Sequence, residues 1–158
     1  MAEDHYIEIF MPPNTLKTKI GGSGRLDFST IKRAEEAVEG LSVEFAGWMI
    51  ADVNRLAAAL DAYEGAASAE TLGALYRASL DLKGQGKTFD FALAARIASS
   101  LCRLTEENGK ARALPMPLID AHVDAIKIVV RDRIKNATDG VAKDLAMELE
   151  RQVAEFLG

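Results

Sequence analysis

Apolar residues recur every three or four positions through most of the chain after residue 28, a pattern that predicts amphipathic helices. The clearest apolar stripe consists of Phe45, Met49, Val53, Leu56, Leu60 and Tyr63, and a second set predicted to face inward consists of Leu93, Ile97, Leu101 and Leu104. Prolines interrupt the pattern only at Pro115 and Pro117, which both fall in one predicted connection. Short loops between amphipathic helices are typical of antiparallel neighbours, so we expect an all-α, up-and-down bundle of four helices with one or two additional helices.

Residues that start or stop helices define five or six predicted helices. They cover 29–40, 42–63, 69–85, 91–107 and 118–134, and the last one ends near residue 157. Ser29 and Ser42 are the candidate N-caps of the first two, and Gly40 ends the first. The sequence GKTFD is predicted to form a tight turn, with Asp90 as the N-cap of the helix that follows.

Residues 1–28 differ in composition from the rest of the chain. Pro12 and Pro13 favour an extended backbone, Gly21-Gly22-Ser23-Gly24 forms a flexible joint, and YIEIF alternates briefly. We interpret 1–28 as an extended arm or tail and 29–158 as one helical-bundle domain.

Composition excludes several classes of partner. The 19 Lys and Arg residues against 24 Asp and Glu give a net charge of -5, which argues against a nucleic-acid surface. The chain has no polybasic membrane anchor, no apolar run near the roughly 20 residues of a spanning helix, and an acidic start unlike a secretory signal. A single cysteine, Cys102, fits a reducing compartment, so we expect a cytoplasmic protein.

Signatures of catalysis and of metal binding are weak. GQGKT follows a predicted helix and lacks the wider glycine spacing of a phosphate-binding loop. Two histidines and one cysteine show no metal-ligand spacing, and the paired carboxylates Glu35-Glu36 and Glu106-Glu107 are typical of solvated surfaces. We therefore expect no enzyme, no metal site and no cofactor.

The two histidines are predicted to have different surroundings. His5 lies in the arm, whereas His122 shares a predicted apolar stripe with Leu118, Ile119, Ile126 and Val129. A core histidine bonded to a neighbour is the favoured interpretation, and a reactive histidine is the alternative.

The helix predicted over 69–85 carries an apolar residue away from its core side. That core side consists of Leu72, Leu75, Ser79 and Leu82. Leu80 falls roughly 80° away from it, near Gly73, Arg77 and Gly84, and is predicted to be exposed. Gly84 and Gly86 either end the helix or clear space for a partner, and the residues alone favour neither reading.

The segment LDLKGQGKTFDFALAARIASSLCRL resembles the core of histidine-containing phosphotransfer (HPt) domains, which are helical bundles with a His-x-x-Lys-Gly motif on an exposed helix face. Lys83 and Gly84 match that Lys and Gly, Gly86 matches a small position, and the likeness spans 76–104. Less specifically, the segments PPNTLK, KGQG and HVD…RDRI are similar to those of small stand-alone HPt-like proteins of bacteria.

Two positions depart from the HPt pattern. Asp90 occupies a turn position where glycine is common, and Leu80 occupies the position of the phospho-accepting histidine. Leucine has no nucleophile, so the resemblance implies a degenerate HPt module that docks a receiver domain or a histidine kinase without carrying phosphate. The docking residues that it implies are Gly73, Arg77, Leu80, Lys83, Gly84, Gln85, Gly86 and Lys87.

Two alternatives stay open. The first is an active phosphotransfer protein that uses another residue such as His122. The second is a structural or oligomerising helical bundle, motivated by the long apolar stripe and by Leu80, in which the partner is a second copy of the chain.

Overall fold

The computed structural model describes residues 28–106, 113–134 and 140–158, and within these ranges the fold is all-α, as predicted. The helices are α1 (Phe28–Gly65), α2 (Ala69–Thr88), α3 (Ala92–Thr105), α4 (Met116–Arg131) and α5 (Gly140–Leu157). Over those same ranges, none of them combines the length and the hydropathy that a membrane crossing requires. The predicted arm lies outside the described residues except for Phe28, with which α1 begins.

The chain divides into two compact units, Met1–Glu36 and Ala37–Gly158. Of the first unit, the structure describes the helical segment 28–36, in which Lys32 and Glu36 form an exposed i,i+4 ion pair at 4.0 Å. The second unit holds the bundle. The predicted domain boundary at residue 28 stays a prediction.

Helix α3 occupies the centre of the bundle and packs against α2, α4 and α5. Its predicted inward residues are all fully buried, namely Leu93, Ile97, Leu101 and Leu104. The predicted stripe of α1 joins the same core through Met49, Val53, Leu56 and Leu60. The 3.6-residue period therefore located the core correctly, because an amphipathic helix buries its apolar side.

Aromatic contacts fix the direction of α1 relative to α2. The connection between the two helices consists of residues 66–68 alone. The ring of Phe89, just after the end of α2, stacks on the ring of Phe45, and the two ring centroids are 4.6 Å apart. The indole of Trp48 lies 5.5 Å from the same ring. The end of α2 thus lies beside the middle of α1, so these helices are antiparallel neighbours, as predicted.

The predicted break at Gly40 is wrong, because α1 runs without interruption from Phe28 to Gly65. Ser29 and Ser42 therefore lie inside this helix and do not cap two separate ones. Glycine inside a helix costs only about 1 kcal/mol relative to alanine, which the hydrogen bonds of the surrounding turns outweigh. A side-chain cap does precede α2, where Ser68 and Thr71 form a reciprocal capping box.

The predicted tight turn GKTFD is also wrong in its first half, because α2 continues to Thr88. The N-cap of α3 is Phe91 and not Asp90, whose φ of 63° places it in the left-handed region. Aspartate adopts this conformation more readily than most residues, which explains its place in the turn. Pro117 belongs to the first turn of α4 and not to the connection, a position that accepts proline because its N–H has no helical partner.

Gly86 lies at a close approach of α2 to α3. It is buried, and the backbone N–H of Phe91 donates to its carbonyl oxygen at 2.8 Å. A Cβ on Gly86 would lie 3.0 Å from the Cβ of Ala95 and 3.1 Å from its backbone nitrogen. Only glycine permits this approach without a shift of one helix.

Substituting the two glycines of KGQG separates packing from helix propensity. Gly84→Ala is expected to stabilise the fold slightly, since no other part of the described chain comes within 4 Å of a Cβ at Gly84 outside its own helix backbone. Gly86→Ala is expected to be less stable than Gly84→Ala by about 1–3 kcal/mol, the usual cost of overpacking. Urea denaturation of both variants measures the difference, and equal stabilities would contradict the close approach at Gly86.

Candidate functional site

An exposed stripe of α2 consists of Arg77, Leu80, Gly84 and Lys87, and we call it the Leu80 stripe. The steps of three and four residues place these side chains on one side of the helix. Leu80 is 44% exposed, as predicted, while Leu75 and Leu82 on the opposite side are fully buried. Apart from the backbone of its own helix, no atom of the described residues lies within 4 Å of a Cβ built on Gly84, so these residues leave the helix backbone open to approach there.

The other predicted docking residues fall into two groups. Gly73, Lys83 and Gln85 are half-buried and flank the Leu80 stripe. Gly86 is buried against α3, so the structure does not bring it to the exposed surface. Its small size serves helix packing, which is why the sequence pattern alone could not separate it from Gly84.

The four residues of the Leu80 stripe offer apolar and cationic groups, and the exposed carboxylate of Asp81 lies beside them, four residues after Arg77. Arg77 and Lys87 each carry a positive charge at opposite ends of it, about ten residues and 15 Å apart along the helix. Leu80 supplies an apolar side chain between them and no atom that can accept a phosphoryl group. Such a surface can bind a partner with an apolar contact and flanking acidic groups.

His122 is fully buried, which confirms the prediction of a core histidine. Its Nδ1 lies 2.7 Å from the carbonyl oxygen of Leu118, and its Nε2 lies 3.1 Å from the hydroxyl of Ser100. Because a carbonyl oxygen only accepts, Nδ1 carries the proton, and Nε2 accepts from the Ser100 hydroxyl. Burial lowers the pKa of His122 below its ordinary value, although the hydrogen bond to Leu118 opposes this shift.

The hydroxyl of Ser100 and the imidazole of His122 are the groups of a nucleophile and a general base, but their surroundings do not support catalysis. Ser100 lies in the interior of α3, where backbone N–H groups are engaged in the helix and cannot stabilise an oxyanion. The nearby thiol of Cys102 is also unreactive, because burial raises its pKa to about 11. The pair therefore serves to satisfy a buried imidazole.

A cleft of about 420 Å³ lies between α3 and α5, next to the end of α2. Its polar lining consists of Lys87, Arg96, Ser99, Ser100, Arg103 and Glu150. We call it the α3–α5 cleft. Sequence reasoning missed it, although the spacing of Arg96, Ser100 and Arg103 by four and three residues was a readable sign that they share one side of α3.

One ion pair orders the wall of the α3–α5 cleft. Arg96 donates from Nε and Nη2 to the two carboxylate oxygens of Glu150, at 2.7 Å and 2.6 Å. These hydrogen bonds lower the pKa of Glu150, and the charge of Arg103 adds to the effect. The two-pronged geometry fixes the guanidinium plane, so the remaining N–H groups of Arg96 have a defined direction.

Neither the metal-ligating side chains of the described residues nor the comparisons with known proteins indicate a further site. Within 28–106, 113–134 and 140–158, no group of three His, Cys, Asp or Glu side chains is arranged to hold a metal ion. Comparison of the chain with protein-family models, with curated proteins and with solved structures gave no match.

The buried histidine predicts a pH effect on stability. Burial lowers the pKa of His122 in the native state, so the native protein binds a proton there at lower pH than the unfolded chain, in which a histidine titrates near pH 6.5. The stability that His122 contributes is therefore present at neutral pH and falls as the pH decreases, by at most about 1.4 kcal/mol per pH unit.

His122→Gln removes this titration and keeps hydrogen-bonding capacity. We expect the unfolding free energy of wild type to fall relative to that of His122→Gln as the pH is lowered from 7 to 5. Urea denaturation at pH intervals measures it. A difference that stays constant over this range would show that His122 binds protons equally in the native and unfolded states, which would contradict the lowered pKa.

Proposed function

We propose that this protein is a degenerate HPt-like module that docks a receiver domain or a histidine kinase through the Leu80 stripe and carries no phosphate itself. The observation that supports it most is the exposure of Leu80, which by the HPt resemblance corresponds to the phospho-accepting histidine and is followed by Lys83 and Gly84 three and four residues later. The role of such a module is to occupy its signalling partner.

The geometry of α2 favours a surface that docks a partner over one that has lost its binding function. An open backbone at Gly84 permits close approach of a partner, while Arg77 and Lys87 provide charge on either side of the apolar contact. Removing an exposed leucine from water contributes favourably to binding, and cations beside it select an acidic partner surface. These are features of a contact surface and require no chemistry at Leu80.

Phosphotransfer through His122 is disfavoured. Its ring is fully buried and both of its nitrogens have hydrogen-bond partners. A phosphoryl donor would have to open the core between α3 and α4 to reach Nε2.

The test of docking compares two exposed residues of equal accessibility. Leu80 on α2 and Ile128 on α4 are each 44% exposed. Receiver domains and histidine kinases of the source organism are titrated against wild type, Leu80→Asp and Ile128→Asp by calorimetry. We expect one partner to bind wild type, Leu80→Asp to weaken it at least about tenfold, and Ile128→Asp to leave it within about twofold.

The same partner is then offered in its phosphorylated form. Wild type is expected to accept no label, and Leu80→His is expected to gain an acid-labile one. Binding with no gain of transfer in Leu80→His would support docking but place the HPt resemblance in doubt. Failure of wild type to bind any receiver or kinase would overturn the proposal.

An oligomerising bundle is the second candidate, favoured by exposed apolar residues on α1. Val38, Leu41 and Trp48 are between 48% and 66% exposed and recur at steps of three and seven. This function requires a dimer that Leu41→Asp dissociates. Light scattering at several protein concentrations measures the oligomeric state and so distinguishes this function. A monomer at all concentrations would exclude it.

A further inference from the structure

The α3–α5 cleft carries an excess of positive charge in a chain whose net charge is -5. Three cations, Lys87, Arg96 and Arg103, face a single carboxylate, Glu150. Arg96 already neutralises Glu150 through a two-pronged ion pair. In the part of the chain that the structure describes, no ion pair joins Lys87 or Arg103 to a carboxylate. Among the described residues, Lys87 and Arg103 therefore have no ion-pair partner of their own, although Arg103 shares the field of Glu150 with Arg96.

The donors in the cleft come from structural elements that are held in place. Arg96 uses two of its five N–H groups on Glu150 and keeps three for another acceptor. Lys87 lies in the last turn of α2, which the close approach at Gly86 fixes against the start of α3. Ser99 lines the same cleft and adds a hydroxyl that can donate.

The hydroxyl group at the floor of the cleft, that of Ser100, already has a hydrogen-bond acceptor. The hydroxyl of Ser100 is 3.1 Å from Nε2 of His122 and serves as the donor in that contact. Ser100 can still accept a hydrogen bond, but its proton is committed. Recognition in the cleft therefore depends on the cationic side chains and on Ser99.

We propose that the α3–α5 cleft binds a small organic anion through its phosphate or carboxylate groups. Guanidinium and ammonium donors bind both kinds of oxyanion, and the volume of about 420 Å³ suits a small molecule. The proposal is independent of docking at the Leu80 stripe, although Lys87 contributes to both surfaces.

The test uses inorganic phosphate and citrate as probes, with sodium chloride at matched ionic strength as the reference. Amide resonances of Ser99, Ser100 and Arg103 and the Nε–H resonance of Arg96 are followed by NMR on the full chain. We expect phosphate, citrate or both to give saturable shifts that chloride does not give. Saturation by only one probe identifies whether the ligand's group is a phosphate or a carboxylate.

Two double variants with the same change in charge provide the control. Lys87→Gln/Arg103→Gln is expected to weaken binding at least about tenfold. Lys127→Gln/Arg131→Gln removes one lysine and one arginine from α4, where they pair with Asp124 and Asp132, and is expected to change it less than about twofold. Thermal unfolding of both variants establishes that they are folded.

Two results would overturn the proposal. One is the absence of saturable shifts with either probe in wild type. The other is equal weakening in both double variants, which would show that net charge and not the cleft governs the shifts. Leu80→Asp keeps every cleft residue, so anion binding that persists in this variant keeps the cleft separate from the docking proposal.

Discussion

The close approach of α2 and α3 at Gly86 is the constraint on which the arrangement of the exposed surfaces depends. A glycine at this crossing lets the backbone of α2 contact Ala95 and Phe91 directly. The approach fixes the last turn of α2, so Lys87 lies beside the start of α3 and lines the α3–α5 cleft. In the two turns before Lys87, the same helix presents Gly84 and Leu80 to solvent. Two glycines two residues apart thus have opposite roles, one in packing and one in exposure.

A second constraint is the buried imidazole of His122. An imidazole in an apolar core is stable only when its nitrogens are satisfied, since an unpaired buried polar group costs about 1–3 kcal/mol. Ser100 and the carbonyl oxygen of Leu118 meet this requirement from α3 and α4. The interaction therefore ties the two helices together and also explains why a serine occupies the inward side of α3. A histidine used in this way is not available for chemistry.

Periodicity predicted the helical class, the core of α3 and the exposure of Leu80, because burial of an apolar side is a local property that sequence spacing encodes. It failed at Gly40, where the small local cost of glycine was overestimated relative to the cooperativity of a long helix. It also failed at Gly86, whose role depends on Ala95 in another helix. The α3–α5 cleft was missed for the same reason, since Glu150 lies 54 residues after the arginine that it orients. The spacing along α3 shows only that Arg96, Ser100 and Arg103 share one side of the helix, whereas the contact with Glu150 depends on how α5 packs against it.

The two exposed surfaces share Lys87 and differ in what they can recognise. The Leu80 stripe offers apolar area between two cations, which suits a broad protein surface. The α3–α5 cleft is concave and offers converging donors, which suits a compact anion. An anion bound beside Lys87 would reduce the positive charge at one end of the Leu80 stripe and thereby weaken its attraction for an acidic partner. If both proposals hold, occupancy of the cleft and docking at Leu80 oppose each other, and by thermodynamic reciprocity a docked partner lowers the affinity of the cleft for its anion by the same factor.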